Sequence, residues 1–499
     1  MTQPLSTFVV LGGGTAGWMA AAALARFFAR QPVEVQLIEA PQLDSVGVGE
    51  ATVPILRQFN QYLGLDEREF VHATCGSYKL GIEFRDWLRP GGQYFHGFGD
   101  FGAAHNGVAA HQLWLRARAL GDTAPLADYS FSAQAARHNR FAPPPDDPRL
   151  AAIAAFDYAY HFDASLYAAL LQNYACKRGV QHIEGQVVDV QLCPDRGDIQ
   201  SLTLGSGQRI EADFFIDCTG FHGRLLNHAL QVPFRDWSHW LPCNRALAVA
   251  CERQDELSPY TRATARTAGW QWRIPLQHRV GNGLVYASDF ISDDAAAGQL
   301  LQNLEGKALG EPRPLKFVTG HREQFWYKNC LALGLAAGFL EPLESTSIQL
   351  IQTGLLRFLE MLPSGGDTVA MQAQYNRITR GEYERLRDFL ILHYSTSQRD
   401  DSDFWRTCRE QKLPDTLAHK IAVYRASGRV PMYADESYAE SSWVAIFTGQ
   451  DVVPEHYARQ ADSIPAAELR ALMTKRREAI AAVVGHMPSH IRYLQETST

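Results

Sequence analysis

The run TFVVLGGGTAGWMAAAALARFF, residues 7–28, limits what this chain can fold into more than any other stretch. Phe8, Val9, Val10 and Leu11 form a short apolar block suited to a strand buried inside a parallel sheet. Gly12, Gly14 and Gly17 follow in G-x-G-x-x-G spacing, and an alanine-rich helical stretch begins at once. Each glycine meets a steric demand: a tight turn, close approach of backbone to a pyrophosphate, and close contact between helix and strand. The phosphates would lie on the amides at the helix N-terminus, beside Thr15 and Ala16. VEVQLIEA then predicts a second strand ending in Glu39, where a carboxylate can accept from a ribose hydroxyl. Strand, glycines, helix, strand and acid in that order make a dinucleotide-binding fingerprint, with NAD and FAD both open.

With 499 residues the chain can bury a large core in two or three packed units. A net charge of −7, with no Lys/Arg-rich block, argues against a nucleic-acid partner. The eight cysteines are scattered without a C-x-x-C pair, the pattern of reduced thiols in a cytosol rather than of disulfides or a zinc site. The N-terminal apolar stretch is broken by glycines, so neither a signal peptide nor a membrane span is expected, and a cytoplasmic location is.

Further along, SVGVGEATVP (45–54) is a loop whose Gly47 and Gly49, with Glu50 and Ala51, suggest backbone passing close to a flat or charged group. Residues 75–100 read as extended segments around a Pro-Gly-Gly turn, and 101–149 as less regular. Asp163 is placed to cap a helix whose apolar face is Leu166, Tyr167, Leu170, Leu171 and Tyr174. Strands are expected at 186–192, 200–204 and 209–217. Cys330 to Leu335 predicts a strand entering a small-residue loop, with a helix from about Ser347 bearing Ile348 and Ile351 on its apolar face. From 366 onward the pattern is mostly helical. Two glycine-rich, strand-fed loops, 12–17 and 334–338, resemble a two-part FAD site, which a plain NAD domain would not need. The fold expected is α/β: a doubly wound, hydroxylase-like FAD-binding domain with a sheet insertion and a mostly helical C-terminal substrate domain. Its parts would be a discontinuous FAD module (1–99, 150–235, 320–365), inserted strands and loops (100–149, 236–319) and a substrate-side domain (366–499).

Several motifs together resemble the flavin-dependent halogenases of the tryptophan halogenase family. They are Trp270-Gln-Trp272-Arg-Ile-Pro275 (that family's W-x-W-x-I-P), GVGEAT at 47–52, Lys79 in SYKLGIEF, and LEPLESTSI at 340–348. FFIDCTGFHGRLL (214–226) and HYSTSQRDDSDFW (393–405) add to them. The resemblance implies reduced FAD from a separate flavin reductase, oxygen and a halide ion, which together yield hypohalous acid that travels to an aromatic substrate. It also implies roles. Lys79, among Tyr78, Leu80, Ile82 and Phe84, would hydrogen-bond or capture the oxidant. Glu344, assisted by Ser345, would stabilise the cationic ring and take its proton. Thr346 and Ser347 would hold the halide at a helix N-terminus. Leu335 and Ile348 would join the cofactor loops, and Trp270 and Trp272 would keep organic molecules off the flavin.

On the substrate side, His96 and Phe98 match positions where the family stacks an aromatic ring, and Trp443 could form another wall. The C-terminal ESYAESSW lacks the paired tyrosines and acidic/Phe/Trp run of the free-tryptophan enzymes. Indole, or a larger indole-bearing or phenolic compound, is therefore the expected substrate. Two other readings stand beside this one: a flavin monooxygenase hydroxylating an aromatic, and a catalytically inactive flavin-binding relative. Chloride or bromide preference and the oligomeric state, with a homodimer among the options, stay open.

Overall fold

A computed structural model describes residues 5–41, 49–151, 153–363 and 368–497. Gly47, in the loop expected to approach a flat group, lies outside the described residues. The architecture is mixed α/β, and the chain separates into two compact units, each built from three stretches of sequence. The first comprises Met1–Gly76, Phe162–His239 and Lys316–Tyr383; the second comprises Ser77–His161, Trp240–Leu315 and Glu384–Thr499. Residues 77–99, expected with the FAD module, thus pack in the second unit.

The first unit is organised by a six-stranded sheet in the order Trp326–Tyr327, Cys330–Ala332, Phe214–Asp217, Thr7–Leu11, Glu34–Glu39, Gln181–Glu184. All neighbours are parallel except the first pair. Both faces of such a sheet are covered, so its central strands are mostly apolar: Phe8, Val9 and Val10 are fully buried, as are Phe215 and Ile216. The helix Thr15–Phe27 can lie close because its inner positions, Ala20 to Ala23, are small. Asp163 caps the helix Ala164–Cys176, accepting from the amides of Ser165 and Leu166. Tyr167, Leu171 and Tyr174 on that helix are buried, whereas Leu166 is exposed.

The strand expected across 209–217 is two strands in different sheets. Arg209–Glu211 pairs antiparallel with Ile199–Leu204, and Phe214–Asp217 joins the parallel sheet. The break falls at Asp213, whose carboxylate accepts from the Ser6 and Thr7 amides and the Ser6 hydroxyl.

The sheet of the second unit runs Arg313–Lys316, Arg245–Cys251, Val280–Tyr286, Gly269–Pro275, Thr261–Arg266, Gly81–Arg85, Gln93–Gly97. Among the last six, Thr261–Arg266 and Gly81–Arg85 pair in parallel and the other neighbours antiparallel. A short ladder joins Ser77–Lys79 to Ala159–Asp163, with Lys79 opposite Ala159. The stretch 101–149 is more regular than expected, containing helices Ala110–Ala119 and Phe131–Arg137. The C-terminal part is helical, ending in Ala466–His486 and His490–Thr497.

Candidate active site

In the first unit, three loops leave the C-terminal ends of adjacent parallel strands, where open α/β sheets bind ligands. After Thr7–Leu11, Gly12 adopts φ +115°, and a Cβ there would lie 2.4 Å from the Cys218 carbonyl oxygen. A Cβ on Gly17 would sit 1.8 Å from the Gly12 oxygen, so that glycine sets the contact between turn and helix. Gly14 has nothing within 4 Å of its Cβ position and precedes a helix with no side-chain cap. That open, uncapped N-terminus suits a pyrophosphate. Gly13, absent from the fingerprint reading, is where a Cβ would strike the Glu39 carboxyl carbon at 2.1 Å. Glu39 thus lies against the turn, and its Oε2 is 3.0 Å from His182 Nε2. Nothing in the sequence marks His182, which reaches Glu39 only because their strands pair.

The loop after Phe214–Asp217 is held by Asp217, fully buried, which accepts from the amides of Thr219, Leu225 and Leu226 and from the Thr219 hydroxyl. The third loop follows Cys330–Ala332. Its Gly334 has φ +61°, and a Cβ there would be 3.1 Å from the Ala16 methyl. The early and late glycine loops, far apart in sequence, therefore meet. Leu335 in the same turn is exposed, while Ile348, Glu344, Ser345 and Thr346 are buried. Gly49, Glu50 and Ala51 form a short strand, and burial pushes the Glu50 carboxyl up to about 7.

After the late loop, Pro342–Glu344 makes one tight turn and Ser345 takes a left-handed φ of +63°. A non-glycine residue held there is strained, and such strain collects at functional sites. The turn delivers the chain to the helix Ser347–Met361, which has no side-chain cap. The Thr346 hydroxyl is buried with no hydrogen-bond partner among the described residues. An uncapped N-terminus beside an unused hydroxyl can accept a small anion.

The second unit holds Lys79 with no exposure to solvent, its Nζ 5.2 Å from the centroid of the Phe98 ring. Phe98 meets His96 edge-on at 6.4 Å, and His96 in turn lies 5.7 Å from both Phe389 and Tyr438. Sequence reasoning missed Tyr438, although it stands in the ESYAESSW segment. Trp443 is fully buried and fully engaged. Lys420 Nζ lies 4.0 Å over its ring, Glu436 accepts from its N–H at 3.3 Å, and Phe389 packs on it at 4.8 Å. Trp270 and Trp272 point to one side of their strand with centroids 6.1 Å apart. Trp272 covers Gly283, where a Cβ would fall 2.0 Å from its ring, and its buried Nε1 has no partner among the described residues.

A family model for tryptophan halogenases matches residues 7–466. The chain belongs to the tryptophan halogenase family. Among solved structures, the halogenase is similar to BrvH, a flavin-dependent halogenase from Brevundimonas sp. BAL3. The two share 43% identity and a TM-score of 0.95, with 99% of each chain covered. A flavin-dependent halogenase from Xanthomonas campestris matches it with 43% identity and a TM-score of 0.96, again over 99% of each chain. Among curated relatives, the tryptophan 6-halogenase ThaL of Streptomyces albogriseolus is 35% identical, with 96% of each chain covered. This halogenase is accordingly a flavin-dependent oxidoreductase, and its family implies FAD. The three loops of the first unit fit that cofactor: a glycine turn open at Gly14, an acid beside it, and a late loop against Ala16. The hydroxylase reading is not favoured. No helix among the described residues is long and apolar enough to cross a membrane.

Proposed function

We propose that this halogenase oxidises chloride or bromide and places the halogen on an indole-type aromatic that need not be free tryptophan. Reduced FAD, delivered by a separate reductase, would supply with dioxygen the two-electron oxidation of halide to hypohalous acid, with release of water. Gly12, Gly14, Thr15, Ala16, Gly17 and Glu39 would hold its ADP half, with Gly49, Glu50, Ala51, Leu335 and Ile348 around the remainder. The Thr346 hydroxyl and Ser347 amide would bind the halide. Lys79 would hydrogen-bond the hypohalous acid through its ammonium and aim the halogen at the ring, with hydroxide leaving as water. Glu344, assisted by Ser345, would take the proton from the ring carbon that gained halogen. His96 and Phe98 would wall the substrate, with Tyr438 added by its contact with His96, while Trp443, covered by Lys420 and Phe389, would support the wall from behind rather than form it.

The observation that carries this reading is Lys79: an ammonium with no solvent exposure, against Phe98 in an aromatic cluster with His96 and Tyr438. The test incubates protein, FAD, a reductase, NADH and indole with chloride or bromide and reads the product mass. Lys79→Ala should lose halogenated product by at least ~100-fold, as expected for loss of a positioned acid or donor, while FAD still binds and hydrogen peroxide still forms. Halogenation retained in that variant removes the assignment.

A further inference from the structure

We propose that Ser77 and His161 are positioning residues that set the height of Lys79 by tying its strand to the end of the WQWRIP strand. The inference rests on the role given to Lys79 above. Side chains two apart on a strand leave the same face, so Ser77 and Lys79 project to one side. The register pairs Ser77 with His161 and Lys79 with Ala159, which puts all four on that face. Ala159, opposite Lys79, carries only a methyl group, which leaves room for the lysine stem.

The hydrogen bonds then determine one another. Ser77 has a single hydroxyl proton and donates it to the Pro275 carbonyl at 2.7 Å. Its oxygen must therefore accept from His161 Nδ1–H, 3.1 Å away. His161 Nε2 is left as an acceptor, and it faces the Thr261 hydroxyl at 2.9 Å. Every polar atom of the imidazole is thus engaged in one neutral tautomer. Burial agrees with this, as do the nearby charges of Lys79 and Arg273 and the neighbouring His490; together they hold the His161 pKa well below its usual value. The relay joins four strands: the one bearing Lys79, the one bearing His161, the one ending at Pro275, and the one beginning at Thr261. On the next residue, the Tyr78 amide donates to His490 Nε2 at 3.1 Å, while His490 Nδ1 donates to the Leu257 carbonyl. Lys79 is consequently the third residue of a strand pinned at its first two. A neutral His161 also adds no repulsion to the ammonium.

The experiment compares Ser77→Ala, His161→Phe and His161→Gln in the full chain. Glutamine can donate through its amide nitrogen and accept through its oxygen, as the imidazole does. Displacing a reacting group by about 1 Å costs on the order of 100-fold. Ser77→Ala and His161→Phe should therefore lower kcat for indole halogenation ~10–100-fold with KM changed less than about twofold, peroxide appearing instead of product. His161→Gln should recover most of the rate. A second readout is NMR of isotope-labelled lysine side chains in the flavin-free protein, with the Lys79 signal assigned from Lys79→Arg. That signal should move in Ser77→Ala and His161→Phe and return in His161→Gln. An unmoved Lys79 signal, or a rate loss that glutamine does not rescue, overturns the proposal. A moved and rescued signal in a protein whose Lys79→Ala variant still halogenates would keep the positioning role and remove the catalytic one.

Discussion

At the scale of single residues, burial has opposite consequences for two ionisable groups. Glu50 has its folded pKa raised to about 7 because desolvation disfavours the carboxylate. Its contribution to stability is complete below the unfolded value of about 4.5 and is lost as pH rises through 7. His490 has its folded pKa lowered to about 4, again chiefly by desolvation. The unfolded chain takes a proton there that the native one refuses, so stability present above pH 6.5 drains away as pH falls to 4. The loss amounts to roughly 3 kcal/mol. Urea unfolding at a series of pH values should show a slope over that window which His490→Gln flattens; an unchanged slope would show that His490 is not its source. The Lys420–Glu436 pair is buried on both sides, with Nζ to Oε1 at 2.7 Å. Lys420→Met strands a carboxylate and should cost ~3–5 kcal/mol, whereas adding Glu436→Gln should recover most of it. Denaturant midpoints of the single and double variants check this.

At the scale of elements, the glycine turn separates folding from cofactor binding. Gly17→Ala forces a methyl to within 1.8 Å of backbone that cannot yield, so stability falls by ~1–3 kcal/mol or more and FAD binding goes with it. Gly14→Ala meets no protein atom within 4 Å, so the variant should fold normally yet bind FAD at least ~10-fold more weakly, its methyl filling the space the pyrophosphate needs. Flavin fluorescence titration beside thermal unfolding distinguishes the two. The same turn was legible from residue order, because strand, glycines and helix are local. The break between Arg209–Glu211 and Phe214–Asp217 was not, since Asp213 is drawn aside by Ser6 and Thr7, about two hundred positions earlier. Leu166 was misplaced because periodicity gives a broad apolar face, whereas packing buries only the part bearing Tyr167, Leu171 and Tyr174.

At the scale of the whole molecule, the residues proposed for the flavin lie in the first unit, and Lys79, His96, Phe98 and the paired tryptophans lie in the second. A ligand that binds only the native state at a hundred times its Kd adds about 2.7 kcal/mol. FAD should therefore raise the melting temperature in wild type and in Lys79→Ala alike, but not in Gly17→Ala. Calorimetry with and without FAD tests this; a shift missing from Lys79→Ala would tie that lysine to the cofactor rather than to the oxidant.

Residue order alone determined the dinucleotide turn, the late strand-fed loop, and the acid and small polar residues before the helix at Ser347; resemblance to the family added Lys79. These are short-range patterns, in which a backbone conformation or a helix end dictates the residue types it can hold. Tertiary structure decided what those residues face. It brought Gly334 against Ala16, put His182 on Glu39, enclosed Trp443 between Lys420 and Phe389, and set Tyr438 beside His96. It also joined Ser77, His161 and Pro275 through one hydroxyl group, which donates to Pro275 and accepts from His161. Such contacts depend on strand pairing and packing between distant segments, where sequence separation carries no information about distance in space.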